Sequence, residues 1–232
     1  MSRRTWVAAG PSGSGMKQGW VMPPDLLRLA RETKGFMPDD EGIALYRAGR
    51  MAAVIANDRP AVMMEIGAWC GKSTVYLGAA AMETGGVLFS LDHHRGSEEQ
   101  QHGWDHFDEE VVDPATGRID TLSYWRRTIE LAGLEDCVVG IVGDSPTVAR
   151  HWITPLDMCF VDGGHSDDAA WADFKGWEPL VPTGGLLAIH DVFPDPQDGG
   201  RPPHEIYCAA IESGSWEDYD MVGSLRVLKR IN

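Results

Sequence analysis

Two short apolar runs end in residues that can hold a cation. CFVDGGHSDDAA places Asp162, two glycines and His165 in a row, and LLAIHDVF places His190 and Asp191 together. If the runs are neighbouring strands, their last residues stand side by side. Two carboxylates so placed offer hard oxygen ligands, which suit Mg²⁺ with several retained waters. His190 would complete the set, although imidazole suits zinc or manganese better, so Mn²⁺ stays open beside Mg²⁺. His165 has the chemistry of a general base near neutral pH, with Asp162 as the alternative proton acceptor. Plainer uses stand beside these: Asp162 and Asp191 can cap following helices, and His165 can bond backbone at a helix start.

A second constellation is the turn E65-I-G-A-W-C-G71-K-S-T, which leaves an apolar run and enters a helical one. Gly67 and Gly71 permit close approach of backbone to a ligand, and the amides beyond Gly71 can receive a carboxylate or phosphate. A phosphate-cradling loop needs G-x-x-x-x-G-K-[ST]; Gly71-Lys72-Ser73 is present, but Ile66 stands where the first glycine belongs. A dinucleotide turn needs G-x-G-x-x-G, and Trp69 occupies the middle glycine position. An acid two residues before the first glycine, with GxxxG spacing, remains.

These residues need a scaffold that brings distant segments to one edge. From residue 61 short apolar runs (AVMMEIG, GVLFSLD, CVVGIVG, LDMCFVD, GLLAIHD) alternate with helical stretches (KSTVYLGAAAME, DTLSYWRRTIELAG, SPTVARHW, DDAAWADFKGWEPL). That alternation predicts an α/β fold: a Rossmann-like, doubly wound, mostly parallel sheet of about seven strands. PPDLLRLARE and the stretch after Pro38 predict N-terminal helices, HEIYCAAIES a late helix, and WEDYDMVG with LRVLKRI an antiparallel edge. Ligands in such sheets bind outside the carboxyl ends of the strands. Residues 1–18, rich in Gly and Ser, predict a mobile tail; 19–232 predict one domain, with a long lid at 92–120 after the second strand.

On its motifs the chain resembles the class I S-adenosylmethionine-dependent methyltransferases. MEIGAWCGKST is similar to their first motif, especially to that of the catechol O-methyltransferases. The resemblance implies that Asp92 meets the ribose hydroxyls and Asp144 the adenine amino group. It also implies that Glu65 orients the methionine moiety, that Ser73 and adjacent amides meet the methionine carboxylate, and that the segment near Met37 and Glu41 closes over the cofactor. Asp144 can equally be a helix N-cap, and Glu65 with Gly67 can merely shape the turn. The strand-end acids resemble those of the metal-dependent branch, which includes macrolide-sugar O-methyltransferases. Asp162 and Asp191 match that pattern, and His190 departs from it where the sugar enzymes carry an acid.

The insert carries His93, His94, His102, His106, Arg95, Trp104 and Phe107. A sugar ring stacking on Trp104, with hydroxyls on Arg95 and His94, fits this content, as does a solvated acidic loop with Trp104 packed beneath. DHHRGSEEQQ and GFMPDDEG resemble actinobacterial enzymes of methylmannose polysaccharide biosynthesis, the mycobacterial mannoside 1-O-methyltransferases above all. That resemblance implies an oligosaccharide or small-molecule acceptor and transfer to the 1-OH of a (3-O-methylated) mannoside. Other sugars or natural products stay open as acceptors. From other classes, a phosphotransferase on the GKST turn, a nicotinamide oxidoreductase and a non-catalytic adenosyl-ligand binder also stay open.

Whole-chain arithmetic narrows the partners. Among 232 residues, 20 basic and 35 acidic side chains give a net charge of −15, a field that repels nucleic acid and anionic membrane surfaces. Cys70, Cys137, Cys159 and Cys208 form no CxxC pair. With no long apolar span and no leader-like start, the expectation is a cytoplasmic protein. Monomer and homodimer both stay open.

Overall fold

The computed structural model describes residues 19–104, 106–195 and 201–232, so the tail expected over 1–18 lies outside the described residues. The central strands β1 (Val62–Ile66), β6 (Met158–Val161) and β7 (Leu186–Ile189) are buried almost throughout. That is what near-continuous apolar runs in a parallel sheet require, since both faces are covered. β2 (Val87–Asp92) and β5 (Val138–Val142) extend the sheet on one side. β8 (Trp216–Val222) and β9 (Leu225–Arg230) extend it on the other, giving the order β5-β2-β1-β6-β7-β9-β8.

The expected antiparallel addition is present with its strands in a definite order. The last strand, β9, inserts against β7, and β8 forms the outer edge. Acids along β8 and a register irregularity between Asp218 and Asp220 guard that edge against pairing with another chain.

Helices α2 (Asp39–Ala56), α3 (Lys72–Thr84) and α4 (Leu122–Ala132) contribute to one core cluster, with α1 (Pro24–Glu32) added to it. On the opposite face lie α5 (Ser145–Ala149), α6 (Asp167–Trp177) and α7 (Pro202–Glu212), around the fully buried Trp177. Prolines at the first turns of α1, α5 and α7 suit positions where a missing N–H costs no helical bond.

Register decides which residues meet at the site. Ile66 pairs with Leu91 and Val161, and Val161 pairs with Ile189. The residues that follow, Gly67, Asp92, Asp162 and His190, therefore emerge in one row at the carboxyl edge. Asp191 and His165 lie just beyond it in their loops.

The insert is more structured than its polarity suggests. Two short 3-10 turns (Glu98–Gln100 and Glu109–Val111) and a hairpin of β3 (Val112–Asp113) with β4 (Arg118–Ile119) organise it. Val111 and Ile119 bury themselves against Cys70, with Trp69 and Phe107 packed alongside. The insert is thus seated on the glycine-rich turn itself. Among the described residues no helix is long and apolar enough to cross a membrane.

Candidate active site

At the end of β1 the chain must turn within van der Waals range of the next loop. Gly67 has φ +86°, and a Cβ there would stand 2.0 Å from the backbone oxygen of Asp162. Trp69 is also forced into the left-handed region, at φ 48°. Asp92 holds this shape: one carboxylate oxygen accepts from the amides of Ala68 at 2.9 Å and Trp69 at 2.8 Å, the other from His94 N at 2.6 Å. No side chain caps α3, so its first-turn amides are open to an incoming anion, with Ser73 beside them on the cavity wall. A carboxylate bonded into the turn makes a poor cradle for a polyphosphate, which counts against the phosphotransferase alternative.

Glu65 lies beneath the turn and not along the cavity. It is fully buried, accepting from Thr74 Oγ1 at 2.7 Å and Ser90 Oγ at 2.6 Å, while its Oε1 has no partner among the described residues. Burial pushes its carboxyl up to about 7, against the pull of hydrogen bonds from Ser73, Ser90 and Thr74.

A cavity of ≈ 680 Å³ runs along the strand ends. Met37, Gly67, Ser73, Asp92, Asp144, Asp162, His165, His190 and Asp191 all line it. Asp144 sits at an exposed part of the wall, where it caps α5 by accepting from Thr147 N at 3.0 Å. Phe36 covers the opening beside Trp69 and His106, with ring centroids 6.2 and 5.2 Å away.

At one end of the cavity, ligand atoms of Asp162, His165 and Asp191 lie within 4.8 Å of one another. Nε2 of His165 stands 3.1 Å from Asp191 Oδ2, and its Nδ1 stands 3.2 Å from Glu99 Oε1 in the insert. Burial pulls the imidazole's proton affinity down, but Asp191, Glu99 and Asp162 outweigh it and raise it overall. Burial likewise pushes Asp162 up, more than His190 pulls it back. For Asp191 the balance reverses: burial opposes ionisation, yet hydrogen bonds from His165 and His190 hold the carboxyl below its ordinary range. Two carboxylate oxygens and an imidazole nitrogen form a donor set that fits a hard divalent cation.

His190, expected as a further metal ligand, borders the same cluster with both ring nitrogens against carboxylates. Its Nδ1 stands 3.0 Å from Asp162 Oδ1 and its Nε2 stands 2.6 Å from Glu41 Oε2, so neither nitrogen is free. Burial disfavours the charged ring, but Asp162, Asp191 and Glu41 prevail, and His190 holds its proton well above the usual range. Glu41 reaches this position from the first turn of α2 and also accepts from Ser224 N at 2.6 Å. Its sequence context, an acid among acids at a helix start, carried no sign that it turns inward.

The three residues expected to meet the acceptor are not gathered at this cluster. His94 is buried, with Nδ1 2.8 Å from Thr121 Oγ1 and its ring against Trp125, so it supports the insert's base. Arg95 donates to Ile119 O and Asp120 at 3.1 Å and faces a separate cavity within the insert. Trp104 is 63% exposed and lines neither cavity. Local polarity suggested a sugar site here, but the apolar contacts of Val111 and Ile119 turn the insert so that Glu99, not Trp104, reaches the cluster.

A doubly wound sheet with a glycine-rich first turn, an acid closing β2 and a cavity across the strand ends defines the class I methyltransferase architecture. Residues 64–192 match a family model described as a methyltransferase domain, and the chain belongs to that family. It is an S-adenosylmethionine-dependent methyltransferase. The fold is similar to that of the methyltransferase PaMTH1 from Podospora anserina, whose structure is S-adenosylhomocysteine-bound, at a TM-score of 0.59 and 16% identity, over 94% of this chain and 92% of that one. It is similar also to the O-methyltransferase NovP, at a TM-score of 0.57 and 16% identity, over 82% and 80% of the two chains.

Proposed function

We propose that the protein transfers a methyl group from S-adenosylmethionine to a sugar hydroxyl, with a divalent cation held by Asp162 and Asp191. The acceptor we favour is the 1-OH of a mannoside of the methylmannose type. The observation that carries the reading is the convergence of Asp162, His165 and Asp191 at the end of a cavity that begins at the α3 N-terminus. The O-methyltransferase likeness supports the reaction class, and the resemblance of the insert supports the sugar.

The sulfonium methyl is already activated, so the protein chiefly aligns an oxygen with it and accepts that oxygen's proton. Ser73 and the first amides of α3 receive the donor's carboxylate, and Asp92 receives its ribose hydroxyls through lone pairs not spent on the turn. A divalent cation bound to Asp162 and Asp191 would lower the proton affinity of the acceptor hydroxyl. With Nδ1–H of His165 donated to Glu99, Nε2, which meets Asp191 in the unliganded site, would be the nitrogen that accepts the acceptor's proton once Asp191 holds the cation. Glu99 thereby ties base orientation to closure of the insert. Phe36, Met37 and the insert exclude water from the reacting groups.

The test is methyl transfer to mannosides with Mg²⁺ added and after chelation. Turnover is expected to vanish with chelator and return with Mg²⁺. Asp162→Asn and Asp191→Asn should abolish turnover while S-adenosylhomocysteine still binds; turnover kept in both variants would remove the metal from the reading. His165→Ala is expected to lower kcat by about 10²–10⁴-fold.

A further inference from the structure

The insert encloses a second cavity, of ≈ 820 Å³, which shares only His93 and Gly96 with the cavity along the strand ends. Among the described residues its wall carries the guanidiniums of Arg95 and Arg118 and the imidazoles of His93 and His102, against the single carboxylate of Glu109. In a chain of net charge −15, that local excess of donors runs against the overall composition. Arg118 makes no side-chain hydrogen bond and no ion pair with Glu109 or any other described residue. Arg95 spends Nη1 on Ile119 O and Asp120, which leaves the hydrogens on Nε and Nη2 without an acceptor among the described residues. His93 Nδ1 accepts from the amide of Arg95 at 3.0 Å, so the neutral ring carries its hydrogen on Nε2 and is a donor there too.

Two guanidiniums on one cavity wall repel each other, and an anion between them replaces that repulsion with charge-assisted hydrogen bonds. The guanidinium fork matches carboxylate and phosphate alike. A phosphate monoester, with three terminal oxygens, can meet Arg95, Arg118 and an imidazole at once, whereas a carboxylate has only two oxygens to share among them. The cavity is also far larger than a bare ion. Phe107, which packs on the ring of His102 with centroids 5.1 Å apart, joins Val112 and Ile119 in an apolar wall for the rest of an organic molecule. We propose that the insert holds a binding site for an organic phosphate monoester, separate from the donor and acceptor positions along the strand ends. Arg95 lies near the start of the insert and Arg118 in its hairpin, so the ligand joins the two ends of the insert.

The test is calorimetry with phenyl phosphate as the probe, in the presence of S-adenosylhomocysteine and EDTA so that neither the α3 amides nor a cation captures it. Phenol, benzoate and inorganic phosphate serve as comparisons. Wild type is expected to bind one phenyl phosphate with a dissociation constant of about 1 mM or below, benzoate and inorganic phosphate more weakly, and phenol most weakly. Arg118→Gln removes no bond on which the fold depends, so it should weaken phenyl phosphate about tenfold or more at an unchanged Tm. Arg127→Gln, which deletes an exposed positive charge on α4, should leave the binding intact. No saturation of wild type by about 10 mM, or equal weakening in the two variants, would overturn the site. Phenol or benzoate binding as tightly as phenyl phosphate would overturn the ligand class. The Arg118→Gln contrast holds with or without S-adenosylhomocysteine, so it stands apart from the donor reading. In the methyl-transfer assay, phenyl phosphate is expected to leave the acceptor's KM unchanged; a raised KM would overturn the separateness and put the phosphate on the acceptor itself.

Discussion

At the residue scale, the site is a set of acids sorted by their surroundings. Asp92 and Asp144 serve backbone amides, Glu65 lies dry beneath the turn, and Asp162 and Asp191 share two histidines at the cavity end. Glu65 makes the sorting measurable through pH. Its folded pKa of about 7 lies above the ordinary 4.5, so below about 4.5 the proton is bound in both the folded and unfolded states. As pH rises from 4.5 to 7 the unfolded chain releases the proton first, and stability falls; above 7 the loss is complete at about 3 kcal/mol. Glu65→Gln should therefore gain on wild type in thermal unfolding between pH 5 and pH 7, and an unchanged difference across that range would count against the raised pKa. Gly67→Ala is the converse case, since no neighbour can yield. A Cβ 2.0 Å from a backbone oxygen, at φ +86°, should cost about 3–5 kcal/mol and lower the Tm accordingly.

At the element scale, two long-range contacts tie N-terminal segments to the site. The buried Glu41 joins α2 to His190 after β7 and to Ser224 in the β8–β9 turn. Removing it leaves an imidazolium without one of its carboxylates, so Glu41→Ala should destabilise by about 3–5 kcal/mol in denaturant unfolding. The second contact is Lys34, after α1, whose ammonium lies 2.6 Å from both Asp108 and Glu110 in the insert. Burial opposes its charge, but the two carboxylates win and hold its pKa above the ordinary lysine value. The pair is partly exposed, so each bridge contributes about 0.2–1 kcal/mol. Lys34→Met is expected to speed S-adenosylhomocysteine release about two- to fivefold in stopped flow, with little change in Tm. These elements were legible in the sequence because their apolar periodicity is local. Their cross-links were not, because Glu41 and Lys34 read as ordinary surface charges until packing gave them partners.

At the scale of the whole molecule, one sheet carries every functional loop on one edge, so ligand binding should stabilise the domain as a unit. S-adenosylhomocysteine at about a hundred times its dissociation constant contributes about 2.7 kcal/mol, a shift of roughly 5–10 °C for a domain of this size. A smaller shift at saturation would mean that unfolding begins outside the cavity. The net charge of −15 also favours cations over anions in the surrounding field, in keeping with a cation site and a neutral acceptor. Strand–helix alternation, the glycine turn and the acids at the strand ends are written in short stretches of chain, where propensity and spacing act directly. From these the sequence by itself determined the layered fold, the carboxyl-edge site and the methyltransferase class. Tertiary structure alone decided which acids share a cavity, that His190 faces Glu41, and that Glu99, not Trp104, reaches the cluster. Those outcomes depend on strand register and on how the insert packs against Trp69 and Cys70, relations between residues far apart in the chain that no local spacing encodes.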